Sequence, residues 1–241
     1  MKDEKKTGVL YIVGTPIGNL EDMTFRAIRM LKECDLVAAE DTRTARKLLS
    51  HFEISKSVTS YYDAVESRKA PQIIEQIKSG KNVCLISESG MPGLSDPGYR
   101  LINAAIESEV PVVPIPGPTA AVTALVISGL PLDRFCFEGF LSAKKSARRK
   151  RLKELVDEKR TMIFYESVHR IQSMLTDISE IFGDREVVLC RELTKRFEEI
   201  LRGSAENILE KSAVRKIKGE IVLVVHGSNK KTVRKTEKLL I

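Results

Sequence analysis

The segment from Ser87 to Gly98 combines residue types that favour a ligand-binding loop. It contains three glycines and two prolines, and it follows the apolar run Val83 to Ile86, which has the composition of a strand. The apolar residues after it have the spacing of one helix face, namely Tyr99, Leu101, Ile102, Ala105 and Ile106. Ligands of open α/β sheets bind at the carboxyl ends of strands, so we expect this constrained turn to form part of a site.

A second candidate loop runs from Gly14 to Asn19, between the first apolar run and a helical segment. This is the position of a dinucleotide fingerprint, but the spacing is not G-x-G-x-x-G, and Pro16 lacks the N–H that a pyrophosphate would need. The loop therefore disfavours a nicotinamide cofactor. It indicates either a different ligand or a tight turn that holds none.

Charged residues also follow the second predicted strand, in the sequence Glu40-Asp41-Thr42-Arg43. Asp41 or Thr42 can cap the helix that begins there. Capping does not explain Glu40 and Arg43, which are well placed for substrate contact at a strand's carboxyl end.

Two charged segments lie in the second half of the chain. In Phe164 to Arg170, Ser167 is a plausible N-cap, and His169 is more typical of a structural histidine than of a catalyst. Arg191 to Glu198 mixes both charge signs, which fits either a salt-bridged surface or a grip on nucleic-acid phosphates.

The positive charge of the chain is concentrated in two places. Lys144 to Arg151 places six basic side chains in eight positions, and the tail adds more. The basic residues of the tail are Lys230, Lys231, Arg234, Lys235 and Lys238. Such runs suit a phosphate-rich partner, but each is also compatible with a solvated helix face or a frayed terminus.

Composition excludes several classes of protein. The four cysteines lie far apart and show no metal-ligand spacing, and with three histidines in 241 residues we expect no metal site and reduced thiols. The apolar runs are too short to span a bilayer. The charged N-terminus leads straight into a strand without the apolar core of a signal peptide, so we expect a cytoplasmic protein.

Alternating strand-like and helical segments predict an α/β fold with two domains. The strand-like runs are 9–13, 36–39, 83–86, 112–115, 135–137, 162–165, 186–190 and 221–225. In the first half, three sets of residues have the spacing of one helix face and predict the helices between the strands. These sets are Phe25, Ile28 and Leu31; Leu48, Leu49 and Phe52; and Ile73, Ile74 and Ile77. In the second half we predict helices at 119–128, 146–159, 168–182 and 204–211. The proline cluster Pro114 to Pro118 places the boundary, which gives an N-terminal domain 1–117 and a C-terminal domain 118–241 with a basic tail.

Eight motifs in one order closely resemble the ribosomal RNA small subunit methyltransferase I family, in the tetrapyrrole methylase-like class of S-adenosylmethionine-dependent methyltransferases. They are G-T-P-I-G-N-L-x-D, E-D-T-R, S-x-S-G-x-P-G-x-S-D-P-G, P-G-P-x-A, F-x-G-F-L, F-Y-E-S-x-H-R, R-E-L-T-K and G-E-x-V-L-V. The resemblance covers residues 9–225, and eight ordered motifs are far more specific than any one of them.

The resemblance implies a largely parallel N-terminal sheet, a mixed C-terminal sheet and a cofactor cleft between the two α/β domains. It also implies a homodimer that uses S-adenosylmethionine to methylate the ribose 2′-hydroxyl of a cytidine in the decoding region of 16S ribosomal RNA. The cofactor-binding residues that it implies are Gly14, Pro16, Gly18, Glu88, Gly90, Met91, Gly93, Pro116, Gly117, Thr119 and Ala120, with Tyr165, Glu166 and Gly219 from the second domain.

The chain departs from the usual family pattern at four positions. Glu88 replaces an aspartate and Met91 a threonine, while Ser142 and Val168 each replace a proline. We expect backbone contacts to the cofactor to survive these changes. The changes at Ser142 and Val168 should loosen a turn without removing a reacting group.

Methyl transfer to a hydroxyl requires positioning and can use a general base. The carboxylates at strand or loop ends that could act as the base are Glu40, Asp41, Asp96 and Glu166. The candidate RNA-binding residues are Arg43, Lys144, Lys145, Arg148, Arg149, Arg170, Arg191 and Lys195.

Two other functions remain compatible with the sequence. One is a methyltransferase for a porphyrin-like small molecule, against which stand the basic run and a 5% aromatic content without Trp. The other is a non-catalytic rRNA-binding assembly factor, which the altered residues Glu88 and Met91 leave open.

Overall fold

A computed structural model describes residues 7–213 and 218–228. Its contacts divide the chain into two compact units, Met1–Thr119 and Ala120–Ile241. The division falls just after the proline cluster, where proline restricts the backbone to extended or turn conformations.

The N-terminal unit contains a parallel sheet of five strands in the order β3-β2-β4-β1-β5. The strands are β1 (Leu10–Val13), β2 (Leu36–Ala39), β3 (Val58–Ser60), β4 (Val83–Ile86) and β5 (Val112–Ile115). Because every pair is parallel, the carboxyl ends of all five strands lie at the same edge of the sheet.

Four α-helices cover the two faces of this sheet. They are α1 (Phe25–Glu33), α2 (Thr42–His51), α3 (Glu66–Lys78) and α4 (Tyr99–Glu107). Ala27 and Leu49 of α1 and α2 pack in one apolar cluster, whereas Ile73 and Leu101 of α3 and α4 pack in the other. β2 and β4, which are central in the sheet, are fully buried, as expected for continuous apolar runs covered on both sides.

The C-terminal unit contains a mixed sheet in the order β6-β7-β10-β8-β9, with only the β6–β7 pair parallel. Its elements are α5 (Ala120–Ser128), β6 (Phe135–Phe140), α6 (Lys145–Glu154), β7 (Thr161–Glu166), α7 (Ile171–Phe182), β8 (Glu186–Arg191), β9 (Glu199–Ser204), α8 (Ala205–Ala213) and β10 (Ile221–Val225). Helices α6, α7 and α8 pack against this sheet through Leu152, Leu175 and Ile208. The two sheets confirm the predicted α/β class, with a parallel first sheet and a mixed second one.

The structure corrects several details of the predicted elements. β3 and β9 were not predicted, because both are only partly buried and lack a continuous apolar run. Helix α7 begins at Ile171 rather than Val168, and α6 ends at Glu154 rather than Lys159. Phe25, which we predicted to share a helix face with Ile28 and Leu31, is 94% exposed, because Ala27 and Leu31 form the buried face of α1.

Within residues 7–213 and 218–228, no helix is both long enough and apolar enough to cross a bilayer.

Candidate functional site

Four loops leave the carboxyl edge of the parallel sheet next to one another. They are the predicted ligand loops 14–19 after β1, 40–43 after β2, 87–98 after β4 and 116–119 after β5. The strand order places β1 between β4 and β5, and β4 next to β2, so the fold brings the four segments to one edge.

The loops after β1 and β4 are joined by a short antiparallel bridge between Thr15 and Gly90. The Thr15 amide donates to the Gly90 carbonyl at 2.9 Å, and the Gly90 amide donates back at 3.2 Å. The hydroxyls of Thr15 and Ser87 both donate to the same Gly90 carbonyl at 3.3 Å. These bonds fix the start of the 87–98 loop against the end of β1.

The loops after β1 and β5 touch through two glycines. A Cβ added to Gly14 would lie 2.7 Å from the Cα of Gly117 and 2.7 Å from the sulfur of Met91. A Cβ added to Gly117 would lie 2.8 Å from the Cα of Gly14. Any side chain at either position would push the loops apart, so the two glycines are required for this backbone contact, and Met91 packs against it.

The far end of the 87–98 loop is anchored by a residue that the sequence analysis did not identify. Glu66, near the start of α3, is buried, and its carboxylate accepts the backbone N–H of Gly98 at 2.8 Å. Arg100 forms an ion pair with the same carboxylate at 3.5 Å. A single acidic residue in a helical segment gives no sequence signal for this role, since its partner lies 32 residues away.

Glu40 lies at the centre of a group of carboxylates. Its pKa is raised to about 7 by partial burial and by the negative charges of Asp96, Glu88 and Asp63, while a hydrogen bond from the Glu88 backbone opposes the shift. The potential at this edge of the sheet is therefore negative. It favours a cationic ligand and gives Glu40 a protonation equilibrium near neutral pH.

The neighbouring Asp41 has a capping role. It is the N-cap of α2, accepts the Arg43 amide at 2.6 Å and pairs with the Arg43 guanidinium at 2.9 Å. These hydrogen bonds lower the pKa of Asp41 to about 2, which makes it a weak base. The Arg43 side chain is nevertheless 84% exposed, so it can still contact a phosphate.

The remaining predicted cofactor residues of the N-terminal unit lie along the same loops. Gly18, Glu88, Gly93 and Pro116 are exposed, and Pro16 and Thr119 are half-buried.

Glu166 ends β7 in the C-terminal unit and is buried. Its Oε1 accepts the Ser167 amide and pairs with the Arg170 guanidinium, each at 2.8 Å. Arg170 also donates to the Leu141 carbonyl at 3.2 Å. Both predicted functional side chains are thus engaged in tying the end of β7 to the start of α7.

Tyr165 lies beside Glu166 and is held by its hydroxyl. The hydroxyl oxygen accepts the Ala121 amide at 3.2 Å, at the start of α5, which Ala120 opens. The Tyr165 ring contacts Phe137 edge-on, with ring centroids 5.0 Å apart, and Phe140 at 5.5 Å.

The R-E-L-T-K segment folds back on itself after β8. Arg191 pairs with Glu199 at 3.1 Å, and Lys195 pairs with Glu192 at 3.0 Å and with Glu220 at 3.2 Å. A Cβ on Gly219 would lie 2.3 Å from the Glu192 carboxyl group, so Gly219 makes room for that side chain. Arg191 and Lys195 thus serve intramolecular ion pairs in this structure.

The basic run 144–151 divides into buried and exposed residues, and this corrects part of the prediction. Arg148 is only 3% exposed and pairs with buried Asp177 at 2.7 Å, so we remove it from the RNA-binding candidates. Arg149 pairs with Asp177 and Glu180. Lys144 and Lys145 remain exposed.

Two predictions concern other features of the chain. The basic tail, residues 230–238, lies outside the described residues. Within 7–213 and 218–228, no group of three or more His, Cys, Asp or Glu side chains is arranged to hold a metal ion.

Comparison with known families supports the motif analysis. The family model of the tetrapyrrole (corrin/porphyrin) methylases matches residues 9–209. The chain belongs to the tetrapyrrole methylase family. Among relatives of this tetrapyrrole methylase, the ribosomal RNA small subunit methyltransferase I of Halalkalibacterium halodurans is 49% identical over 95% of this chain and 79% of that protein. The protein with the same name from Haemophilus influenzae is 48% identical over 93% of this chain and 80% of that protein. These findings confirm the family predicted from the motifs.

Solved structures of tetrapyrrole methylases share the fold. The methyltransferase CobJ superposes with a TM-score of 0.69 at 20% identity and covers 92% of this chain and 95% of its own. A Thermus thermophilus uroporphyrin-III C-methyltransferase complexed with S-adenosyl homocysteine gives 0.64 at 18% identity, covering 91% of this chain and 97% of its own. At these identities the likeness concerns the fold.

Proposed function

We propose that the protein transfers a methyl group from S-adenosylmethionine to the ribose 2′-hydroxyl of a cytidine in the decoding region of 16S ribosomal RNA. The observation that carries the proposal is the identity of 45–49% to proteins named ribosomal RNA small subunit methyltransferase I, over 93–95% of the chain. The cytidine and its 2′-hydroxyl are what the family resemblance of the ordered motifs implies.

The residues at the edge of the parallel sheet fit this cofactor. S-adenosylmethionine carries a sulfonium and an ammonium group, and the carboxylates that raise the pKa of Glu40 create a negative potential that favours both. The loops 14–18, 87–93 and 116–119 would hold it. Thr15, Ser87 and Gly90 link the first two loops, and the contact between Gly14 and Gly117 links the first and the third. When bound, the cofactor supplies an electrophilic methyl group.

Among the carboxylates predicted as the general base, Glu40 has the most suitable environment. A base is most effective when its pKa is near the working pH, and that of Glu40 is raised to about 7. The pKa of Asp41 is held near 2 by Arg43, and the Glu166 carboxylate is paired with Arg170. The negative charge of Asp96 beside Glu40 helps to raise the pKa of Glu40.

We propose a homodimer that acts on the small ribosomal subunit in the cytoplasm, where that substrate is found. The family resemblance supports the dimer. Light scattering of the purified protein measures it directly, and a monomer at working concentration would contradict it.

The experiment that tests the function is incubation with methyl-labelled S-adenosylmethionine and 30S subunits from cells lacking the modification. We expect label in the 16S rRNA, and specifically on a 2′-oxygen after nuclease digestion. Subunits from unmodified and modified cells form the matched pair, and only the former should accept label. Cofactor binding by calorimetry without any transfer would favour a binding protein over an enzyme, and label in a ring substrate alone would contradict the proposal.

A further inference from the structure

An irregularity in β6 places two aromatic rings on the same face of the sheet. Phe137 pairs with Ile163 and Gly139 with Phe164, so β6 has one more residue than β7 at this point. Residues three apart on a regular strand point to opposite faces. Because of the bulge, Phe137 and Phe140 instead lie on the same face of the sheet. Their partners on the neighbouring strand are Ile163 and Tyr165. Gly139, in the bulge, has a φ of +60°.

Tyr165 supports both rings from the neighbouring strand. It contacts Phe137 at an interplanar angle of 74° and Phe140 at 60°. The bond from the Ala121 amide fixes the Tyr165 hydroxyl, and therefore the ring orientation. The three rings form a preorganised aromatic surface.

The outer ring of this surface faces solvent. Phe140 is 54% exposed, and it lies on β6, the edge strand of the sheet. An exposed aromatic ring on a rigid support is suited to stacking against a flat ligand.

Positive charge follows the aromatic surface directly along the chain. Lys144 and Lys145, four and five residues after Phe140, are exposed, whereas Arg148 and Arg149 are committed to ion pairs with α7. A stacking ring followed by uncommitted cations matches the chemistry of single-stranded nucleic acid, which offers flat bases joined by phosphates.

We propose that Phe140, supported by Tyr165 and Phe137, stacks against an unpaired base of single-stranded RNA while Lys144 and Lys145 contact the adjoining phosphates. The proposal rests on the proposed function for its biological setting, since it names how the substrate RNA is held. A base on Phe140 is recognised by its π-face, so this contact is tolerant of sequence.

The test compares Phe140→Leu, Phe140→Trp and a control, Phe25→Leu, which removes another exposed aromatic ring. The probe is a fluorescein-labelled single-stranded RNA dodecamer, and the readout is its dissociation constant at several salt concentrations. Phe140→Leu should weaken binding about 10-fold with an unchanged salt slope, since one stacked base is lost and no phosphate contact is lost. Phe140→Trp and Phe25→Leu should bind within about 2-fold of the unsubstituted protein, and Lys144→Ala/Lys145→Ala should reduce the salt slope.

Three outcomes would overturn the proposal. The first is that Phe140→Leu leaves the RNA affinity unchanged. The second is that Phe140→Leu weakens S-adenosylmethionine binding but not RNA binding, and the third is that it converts a dimer to a monomer. The second outcome would assign the ring to the cofactor's adenine, and the third to a second copy of the chain. RNA binding that depends on Phe140 in a protein without methyl transfer would uphold the stacking surface while refuting the proposed function, so the two failures are distinguishable.

Discussion

Replacing Glu66 tests whether a buried carboxylate holds the 87–98 loop. The Gly98 amide is buried and donates to this carboxylate at 2.8 Å, at the junction between the loop and α4. In Glu66→Ala, the Gly98 amide loses a charged acceptor, and we expect the free energy of unfolding to fall by about 2–4 kcal/mol. The loop end should also become more mobile, because the Gly98 amide would lose the bond that ties it to α3.

Two matched variants divide this effect into its parts. Glu66→Gln keeps an oxygen that can accept the Gly98 N–H, so it should cost about 1 kcal/mol. Arg100→Ala removes only the ion pair at 3.5 Å, in which Arg100 is 65% exposed, and should cost less than about 1 kcal/mol. The expected order of destabilisation is therefore Glu66→Ala, then Glu66→Gln, then Arg100→Ala.

The assays are urea unfolding, hydrogen exchange of the peptide containing Gly98, and calorimetry with S-adenosylmethionine. Glu66→Ala should accelerate exchange at Gly98 and weaken cofactor binding, and Glu66→Gln should restore most of both. Equal destabilisation by Glu66→Ala and Arg100→Ala would refute the reasoning, because the ion pair rather than the amide bond would then dominate. Slow exchange at Gly98 in Glu66→Ala would refute it independently.

Three further substitutions test the basic run, the carboxylate group and the glycine contact. Arg148→Ala leaves Asp177 buried with one partner fewer and should destabilise by about 3–5 kcal/mol in urea. Lys145→Ala should change stability by less than about 0.5 kcal/mol but lower the salt slope of RNA binding. Equal stabilities of Arg148→Ala and Lys145→Ala would contradict the division of the run 144–151 into buried and exposed residues. Because the pKa of Glu40 is raised from 4.5 to about 7, its contribution to stability is fully present below pH 4.5 and is lost as pH rises through 7. Glu40→Gln should flatten that pH dependence and also abolish the rise of kcat/KM towards pH 7, whereas an unchanged profile would exclude Glu40 as the base. Gly14→Ala should destabilise by about 1–3 kcal/mol, measured by thermal unfolding, and a neutral effect would show that the two loops can separate freely.

The sequence predicted the strands best where burial is complete. The buried runs at β2, β4 and β10 were predicted with the observed bounds, because fully apolar four- and five-residue runs have few alternatives. The bounds of β5 were also predicted, although this strand is only partly buried. β9 was missed, since Glu199 to Ser204 mixes charged and apolar residues on a partly exposed edge strand. Helix faces were less predictable, because a residue such as Phe25 can satisfy the spacing from the first turn and still point to solvent.

The candidate site was predictable as loops but not as contacts. Glycine and proline at strand ends identified the segments after β1, β4 and β5, since these residues mark turns wherever they occur. The role of Glu66 and the burial of Arg148 depend on partners 32 and 29 residues away, and nothing local distinguishes Arg148 from the basic residues beside it. Long-range pairing therefore limits the prediction of individual roles.

The contact between Gly14 and Gly117 restricts how this protein can be redesigned. Since each glycine occupies the space that the other's side chain would need, neither position offers a route for enlarging or reshaping the loops by a single substitution. Adaptation to a different cofactor would instead have to proceed through the exposed residues of the 87–98 loop, such as Glu88, or through insertions in that loop. Libraries that hold both glycines constant should therefore retain a larger folded fraction than libraries that vary either one.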